Sequence, residues 1–269
     1  MENKVVLITG GSSGIGRAIG RYLHAKGFRV YGTARDPLKH DGFTDFELLP
    51  LEVRDPLSMG KVVSDILARE GRLDILINNA GVGITGPVEE TPRDAVLNVL
   101  DINLLGPAAM VKEVLPVMRS QGSGLIINIT SIAGYMGLPF RGWYSASKGA
   151  LELLTESMRM EMAGSGIRIT SLAPGDFATN IAAGRYHAPV IEDSPYQTSY
   201  RRSLQLMDEH VSHAQDPVQV AKKVYAIIRT KNPKVHYRVG SWLQRFSLVL
   251  RKLLPDKLYE KLLLNHYKL

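Results

Sequence analysis

The chain reads as an α/β protein, a doubly wound parallel sheet of about seven strands with helices on both faces. Three observations point there. Short, apolar, β-branched runs alternate with helical stretches as far as about residue 240, the pattern of parallel strands joined by right-handed helical crossovers. The first run, Val5-Val-Leu-Ile8, leads through a glycine-rich turn directly into a helical stretch. The length of 269 residues suits one large domain with a sizeable core.

Strands are expected at 5–9, 29–32, 47–51, 75–78, 125–129, 168–172 and 235–239, and helices near 15–26, 56–70, 92–118, 143–163 and 217–229. The last of these helices carries its own start signal, Asp216 as N-cap and Pro217 at the first helical position. Two regions leave the alternation. Residues 180–215 mix polar and aromatic side chains, including Tyr186, His187, Tyr196 and Tyr200, and are expected to form a lid or binding segment. Residues 241–269 follow the last strand as an extension of the same domain, whose main body is 1–240.

Composition narrows the function. There are no cysteines, which excludes disulfides, thiolate metal sites and cysteine nucleophiles. The seven histidines are scattered, and no metal site is expected. The N-terminal Met-Glu-Asn-Lys meets the first strand at once, leaving no room for a signal peptide, and no apolar run approaches the roughly 20 residues of a membrane span. A cytoplasmic location is the expectation. The net charge is +7, but six basic and two acidic residues fall within 241–269. The excess is thus local, and no nucleic-acid partner is expected.

Thr9-Gly-Gly-Ser-Ser-Gly14-Ile-Gly16 joins the first strand to the first helix. Glycines there permit a tight turn and close backbone approach to a pyrophosphate, and the helix N-terminus supplies N–H donors. The second strand ends Ala34-Arg35-Asp36. A carboxylate at that tip would favour NAD(H), whereas Arg35 suits a 2′-phosphate. NADP(H) is therefore expected over NAD(H), with Asp36 the opposing signal. Further on, Tyr144-Ser-Ala-Ser-Lys148 sets a phenol and an ammonium four residues apart, thirteen residues after Ser131. On a helix they share a face, and a phenol, which ordinarily titrates near 10, needs an adjacent cation to serve as an acid–base group. Tyr22-Leu-His-Ala-Lys26 has the same spacing without an upstream serine and is read as structural.

Taken together, these residues resemble the compact branch of the short-chain dehydrogenase/reductase family over about residues 3–240. The glycine loop matches T-G-x-x-x-G-x-G, Asn78-Asn-Ala-Gly81 matches N-N-A-G, and Pro174-Gly-Asp-Phe-Ala-Thr179 matches P-G-x-x-x-T. Asn103, Ser131, Tyr144 and Lys148 fall at the family's catalytic positions. The likeness implies a Rossmann-type fold and hydride transfer between nicotinamide and a carbonyl or secondary alcohol. Tyr144 would exchange the proton, Lys148 would support Tyr144 and bond the nicotinamide ribose, Ser131 would orient the substrate oxygen, and Asn103 would hold a relay water. Cofactor contacts are implied at Gly10, Ser12, Ser13, Gly14, Ile15, Gly16, Arg35, Glu52, Val53, Asn79, Ala80, Gly81, Tyr144, Lys148, Pro174, Gly175, Phe177 and Thr179. Where the family often has Asp-Val, this chain has Glu52-Val53. Family members are commonly homodimers or homotetramers. An acyl-carrier-protein ketoreductase uses the same residues, and a cofactor-sensing regulator without turnover is the reading from another class.

In the extension, Trp242, Phe246, Val249, Leu250, Leu253 and Leu254 recur at helical spacing, Pro255 interrupts, and Leu258, Tyr259, Leu262 and Leu263 begin again. Packing on the domain or over a lipophilic pocket is expected first; an oligomer contact and an anionic membrane surface are the alternatives. Similar extensions in family members acting on steroids and retinoids hint at a bulky apolar substrate.

Overall fold

A computed structural model describes residues 3–177, 184–212, 215–267 and 269. In chain order the elements are β1 (Val5–Ile8), α1 (Gly14–His24), β2 (Arg29–Ala34), β3 (Glu47–Pro50), α2 (Pro56–Glu70), β4 (Ile75–Asn78), β5 (Ile84–Thr85), α3 (Arg93–Leu100), α4 (Gly106–Ser120), β6 (Gly124–Ile129), α5 (Gly142–Glu161), β7 (Ile167–Pro174), β8 (Tyr186–His187), α6 (Gln197–Ser212), α7 (Val218–Arg229), β9 (His236–Val239), α8 (Trp242–Leu253) and α9 (Asp256–Tyr267). Seven strands form one parallel sheet in the order β3-β2-β1-β4-β6-β7-β9, the expected seven. β1 pairs with β2 on one side and β4 on the other. The winding reverses there, which opens a crevice at the carboxyl ends of those strands.

Both faces of the sheet are covered, which is why its strands read as unbroken apolar runs. Val6 and Ile8 point to the α1 and α7 side, with Ile19, Leu23, Val220 and Val224. Their neighbours Val5 and Leu7 point to the opposite layer, with Val62 and Ile66 of α2 and Met110 and Val114 of α4. α7 starts one residue later than expected: Pro217 is its N-cap and Val218 its first residue, and the Asp216 carboxylate accepts from the Val218 N–H at 2.9 Å. Tyr22 stacks edge-on against Tyr225, its ring beneath Lys26, a packing role.

Three expectations change. The helix expected over 92–118 is interrupted by a π-helical turn at Asp101–Leu105. The whole track, Arg93–Ser120, is long and apolar enough by composition to cross a membrane, contrary to the sequence expectation, but its apolar side covers the sheet. The 180–215 segment, read from sequence as a loop-like lid or binding segment, has secondary structure of its own among its described residues, a short strand and a helix. β8 pairs with β5, and the buried Tyr200 of α6 donates toward the carbonyls of Thr85 and Ala188, each at 3.1 Å. The extension forms two helices, as its stripes imply, but only part of each stripe faces the body. Leu248 and Tyr259 are buried with Ile132, Met136 and Ala173, while Leu250, Leu254 and Leu263 pack against that cluster.

Candidate active site

The crevice beside β1 is a cavity of about 880 Å³. Of the expected cofactor residues, Gly10, Ser12, Ser13, Gly14, Ile15, Arg35, Glu52, Val53, Asn79, Ala80 and Gly81 line it. The glycine loop is fixed from below. Gly11 N–H donates to the Thr33 carbonyl at 2.8 Å, and the Asn79 amide donates to the carbonyls of Thr9 and Gly10, each at 2.9 Å. Asn79 is therefore a brace whose side chain is spent on the loop. Gly16 is buried structure as well: a Cβ there would lie 2.2 Å from the Gly10 carbonyl oxygen. Ser13 precedes α1 without a side-chain capping bond, and the first turn holds no acidic residue. The helix thus offers uncapped N–H groups and the positive end of its dipole to the cavity, a fit for a dinucleotide pyrophosphate.

Basic side chains gather at the β2 end. Arg35, Lys39, His40 and Arg54 all line the cavity, and only Arg35 was expected from sequence. Asp36 is occupied: its carboxylate accepts from Leu38 N–H at 3.2 Å and faces Lys39 at 3.5 Å. Glu52 is occupied too. Arg54 donates to both of its oxygens at 3.1 Å, and these bonds hold the Glu52 carboxyl below the ordinary range. Arg54 also reaches Asn98 at 3.1 Å.

The catalytic candidates meet around α5. Lys148 is buried, and its ammonium donates to the Ile129 carbonyl at the end of β6, at 3.1 Å. Burial pulls it down to about 8, opposed by the charge of Glu152. Asn103 sits fully buried on the π turn, a form of helix often found at functional sites. Its amide donates to the Val82 carbonyl and to Ser147 Oγ and accepts from Val82 N–H, at 2.9, 3.1 and 2.9 Å. It therefore ties the cofactor loop to the residue before Lys148. Gly81 connects the cavity to this group: a Cβ there would stand 3.2 Å from Asn103 Oδ1 and 3.3 Å from Lys148 Nζ.

Ser131 caps the short turn Ile132–Tyr135, its Oγ accepting from Ala133 N–H at 3.2 Å. Its own O–H is left to donate elsewhere. That turn presses on α5 backbone to backbone, since a Cβ on Gly134 would be 2.9 Å from the Lys148 carbonyl carbon. Tyr144 stands one turn before Lys148 on α5, packed near Ile84, Val96 and Val99 with the Arg141 guanidinium 5.3 Å from its ring centre.

Behind Lys148 lies a group that sequence reading missed. Glu152, one turn further along α5, is 4% exposed. It accepts from Thr130 Oγ1, from Ser171 Oγ at 2.5 Å and from His236 Nδ1 at 2.8 Å. His236 Nε2 in turn faces Glu156 at 3.0 Å. One carboxylate thus clamps β6, β7 and β9 to the helix carrying Tyr144 and Lys148.

The remaining expected residues lie elsewhere. Pro174 ends β7, Gly175 N–H donates to the Val239 carbonyl at 2.8 Å, and Phe177 is buried in the α1–α7 core. None of these three lines the cavity, and Thr179 lies outside the described residues.

Comparison with known proteins agrees with this architecture. Residues 4–189 match the short chain dehydrogenase family. A 3-ketodihydrosphingosine reductase of Bacteroides thetaiotaomicron is 34% identical, over 97% of this chain and 96% of its own length. Human 17-beta-hydroxysteroid dehydrogenase type 1 is 35% identical, over 95% of this chain and 82% of its own. Among solved structures, a short-chain dehydrogenase from Streptomyces avermitilis superposes with a TM-score of 0.83 at 30% identity, covering 99% of this chain and 97% of that one. The chain belongs to the short-chain dehydrogenase/reductase family and is an oxidoreductase acting on C–OH and C=O groups.

Proposed function

We propose that the protein is an NADP(H)-dependent reductase of a lipophilic ketone, running in reverse on the matching secondary alcohol. The observation that carries this reading is the convergence of Lys148, Asn103 and the Ser131 turn on the helix bearing Tyr144. When bound, the nicotinamide supplies the hydride. The chain supplies proton, orientation and charge. Tyr144 gives its phenolic proton to the carbonyl oxygen. Lys148 holds a cation one turn away, where it stabilises the charge left on the phenol. Ser131, already an acceptor from Ala133 N–H, donates its hydroxyl proton to the same substrate oxygen and fixes the carbonyl. Asn103 keeps the cofactor loop in register with α5.

The NADP(H) preference is supported by Arg35 at the cavity rim, beside Lys39, His40 and Arg54, and by the prior engagement of Asp36. The substrate class is supported by relatives named for 3-ketodihydrosphingosine and 17-beta-hydroxysteroids. Exposed Leu105, Leu153 and Met160 on the α4 and α5 side support a homo-oligomer through those helices. A panel of long-chain and polycyclic ketones with NADPH and NADH tests the function. Turnover with NADPH is expected to exceed that with NADH, and Arg35→Ala is expected to lower that preference about tenfold, the value of one charge-assisted contact. A wild type that prefers NADH would remove the cofactor assignment, and absence of ketone reduction across the panel would remove the substrate class.

A further inference from the structure

The extension turns an apolar row to solvent. Trp242, Phe246, Val249 and Leu253 follow at i, i+4, i+7 and i+11 along α8, one line on the helix surface, and are 68%, 38%, 47% and 74% exposed. Leu248, buried, and Leu250 and Leu254, partly buried, hold α8 to the body. The Trp242 and Phe246 rings stack with centres 4.8 Å apart. α9 repeats the arrangement, with Leu258 and Leu262 outward and Tyr259 and Tyr267 buried. A helix that packs its apolar row inward needs no partner, and one that presents it to water does.

The charges say which partner. Arg245 and Lys252 flank the α8 row and Lys257 and Lys261 the α9 row, all exposed. Asp256 and Glu260 are the only acidic residues in 241–269. We propose that α8 and α9 seat the protein on an anionic lipid bilayer. The Trp242–Leu253 row enters the boundary between headgroups and acyl chains, where an indole is favoured, and the four cations meet lipid phosphates. A second copy offering the same face would set like charges against each other, whereas an anionic bilayer complements them. The inward side of α8 rests on Ile132 and Met136, immediately after Ser131, and Gln244 bonds Asp176 at 2.7 Å. The bilayer would therefore lie beside the catalytic group. The surface stands on its own residues and does not depend on the substrate class.

Co-sedimentation with mixed phosphatidylcholine–phosphatidylglycerol vesicles, against pure phosphatidylcholine vesicles, tests the proposal on the full chain. The wild type is expected to pellet with the anionic vesicles only, and less so as salt is raised. Trp242→Ser/Phe246→Ser and Arg245→Glu/Lys252→Glu are each expected to weaken binding at least about tenfold, with oligomeric mass by light scattering unchanged. All four side chains are exposed, so folding is retained. Three results would overturn it: wild type remaining in the supernatant with anionic vesicles, variants that bind as the wild type does, or a lower oligomeric mass for the Trp242/Phe246 variant. The last would assign the row to a second copy.

Discussion

Replacing Glu152 by Gln removes one buried negative charge while keeping the shape of the clamp that joins α5 to β6, β7 and β9. Its consequence falls on Lys148. Burial already brings that ammonium to about 8, and Glu152 is the charge opposing the fall. A unit charge one helical turn away, at an effective dielectric of about 20, contributes on the order of 2 kcal/mol, or one to two pKa units. Thr130, Ser171 and His236 share the carboxylate, so a loss of about one unit is the expected size. If Lys148 works as an ammonium, activity is lost as pH rises through its pKa. The alkaline limb of kcat/KM for ketone reduction should then move towards acid by about one unit, with the plateau below it little changed. The assay is a pH–rate profile of wild type and variant, with circular dichroism to show that both are folded. A limb that stays in place, or moves towards alkali, would refute the electrostatic coupling, and a lowered plateau alone would make Glu152 purely a clamp.

The same lysine carries a stability cost. Its folded pKa of about 8 lies below the ordinary 10.5, so between those values the unfolded chain binds more protons and stability rises with pH. Below that window the cost is on the order of 3 kcal/mol. Lys148→Met should therefore abolish turnover yet raise stability at neutral pH by about 1–3 kcal/mol, read by denaturant unfolding at neutral and alkaline pH. The gain should shrink at high pH, and an equal gain at both would contradict it. Gly134→Ala places a Cβ 2.9 Å from the Lys148 carbonyl carbon, backbone against backbone. It should cost about 1–3 kcal/mol and lower kcat more than it raises KM, because the Ser131 turn is pushed off α5. Wild-type stability and kinetics in this variant would show that the contact is soft.

The sheet was legible because a parallel strand buried on both faces must be apolar throughout, so each of the seven runs stood out from its flanks. The glycine loop was legible because its glycines serve backbone contacts that no other residue allows. What was hidden depends on contacts distant in sequence. Nothing local marks the π turn that carries Asn103. Lys39 and Arg54 reach the cavity only because β2, β3 and their loops converge there. Glu152 stands four residues after Lys148, a spacing open to view, but its burial arises from the pairing of Ser171 with His236 across β7 and β9. Phe177 falls within a family motif and packs in the core. For the extension, periodicity showed that each helix has an apolar stripe. It could not show that Leu250 and Leu254 turn inward while Trp242, Phe246, Val249 and Leu253 turn out, since that depends on how α8 meets the body.

Tyr144→Phe tests the central claim most directly, since it deletes one oxygen and leaves the packing against Ile84, Val96 and Val99 intact. With Tyr144 as the proton donor, ketone reduction should fall by about 10³-fold or more, while NADPH binding, followed by fluorescence titration, stays within about threefold of wild type. Turnover within about tenfold of wild type would contradict the assignment.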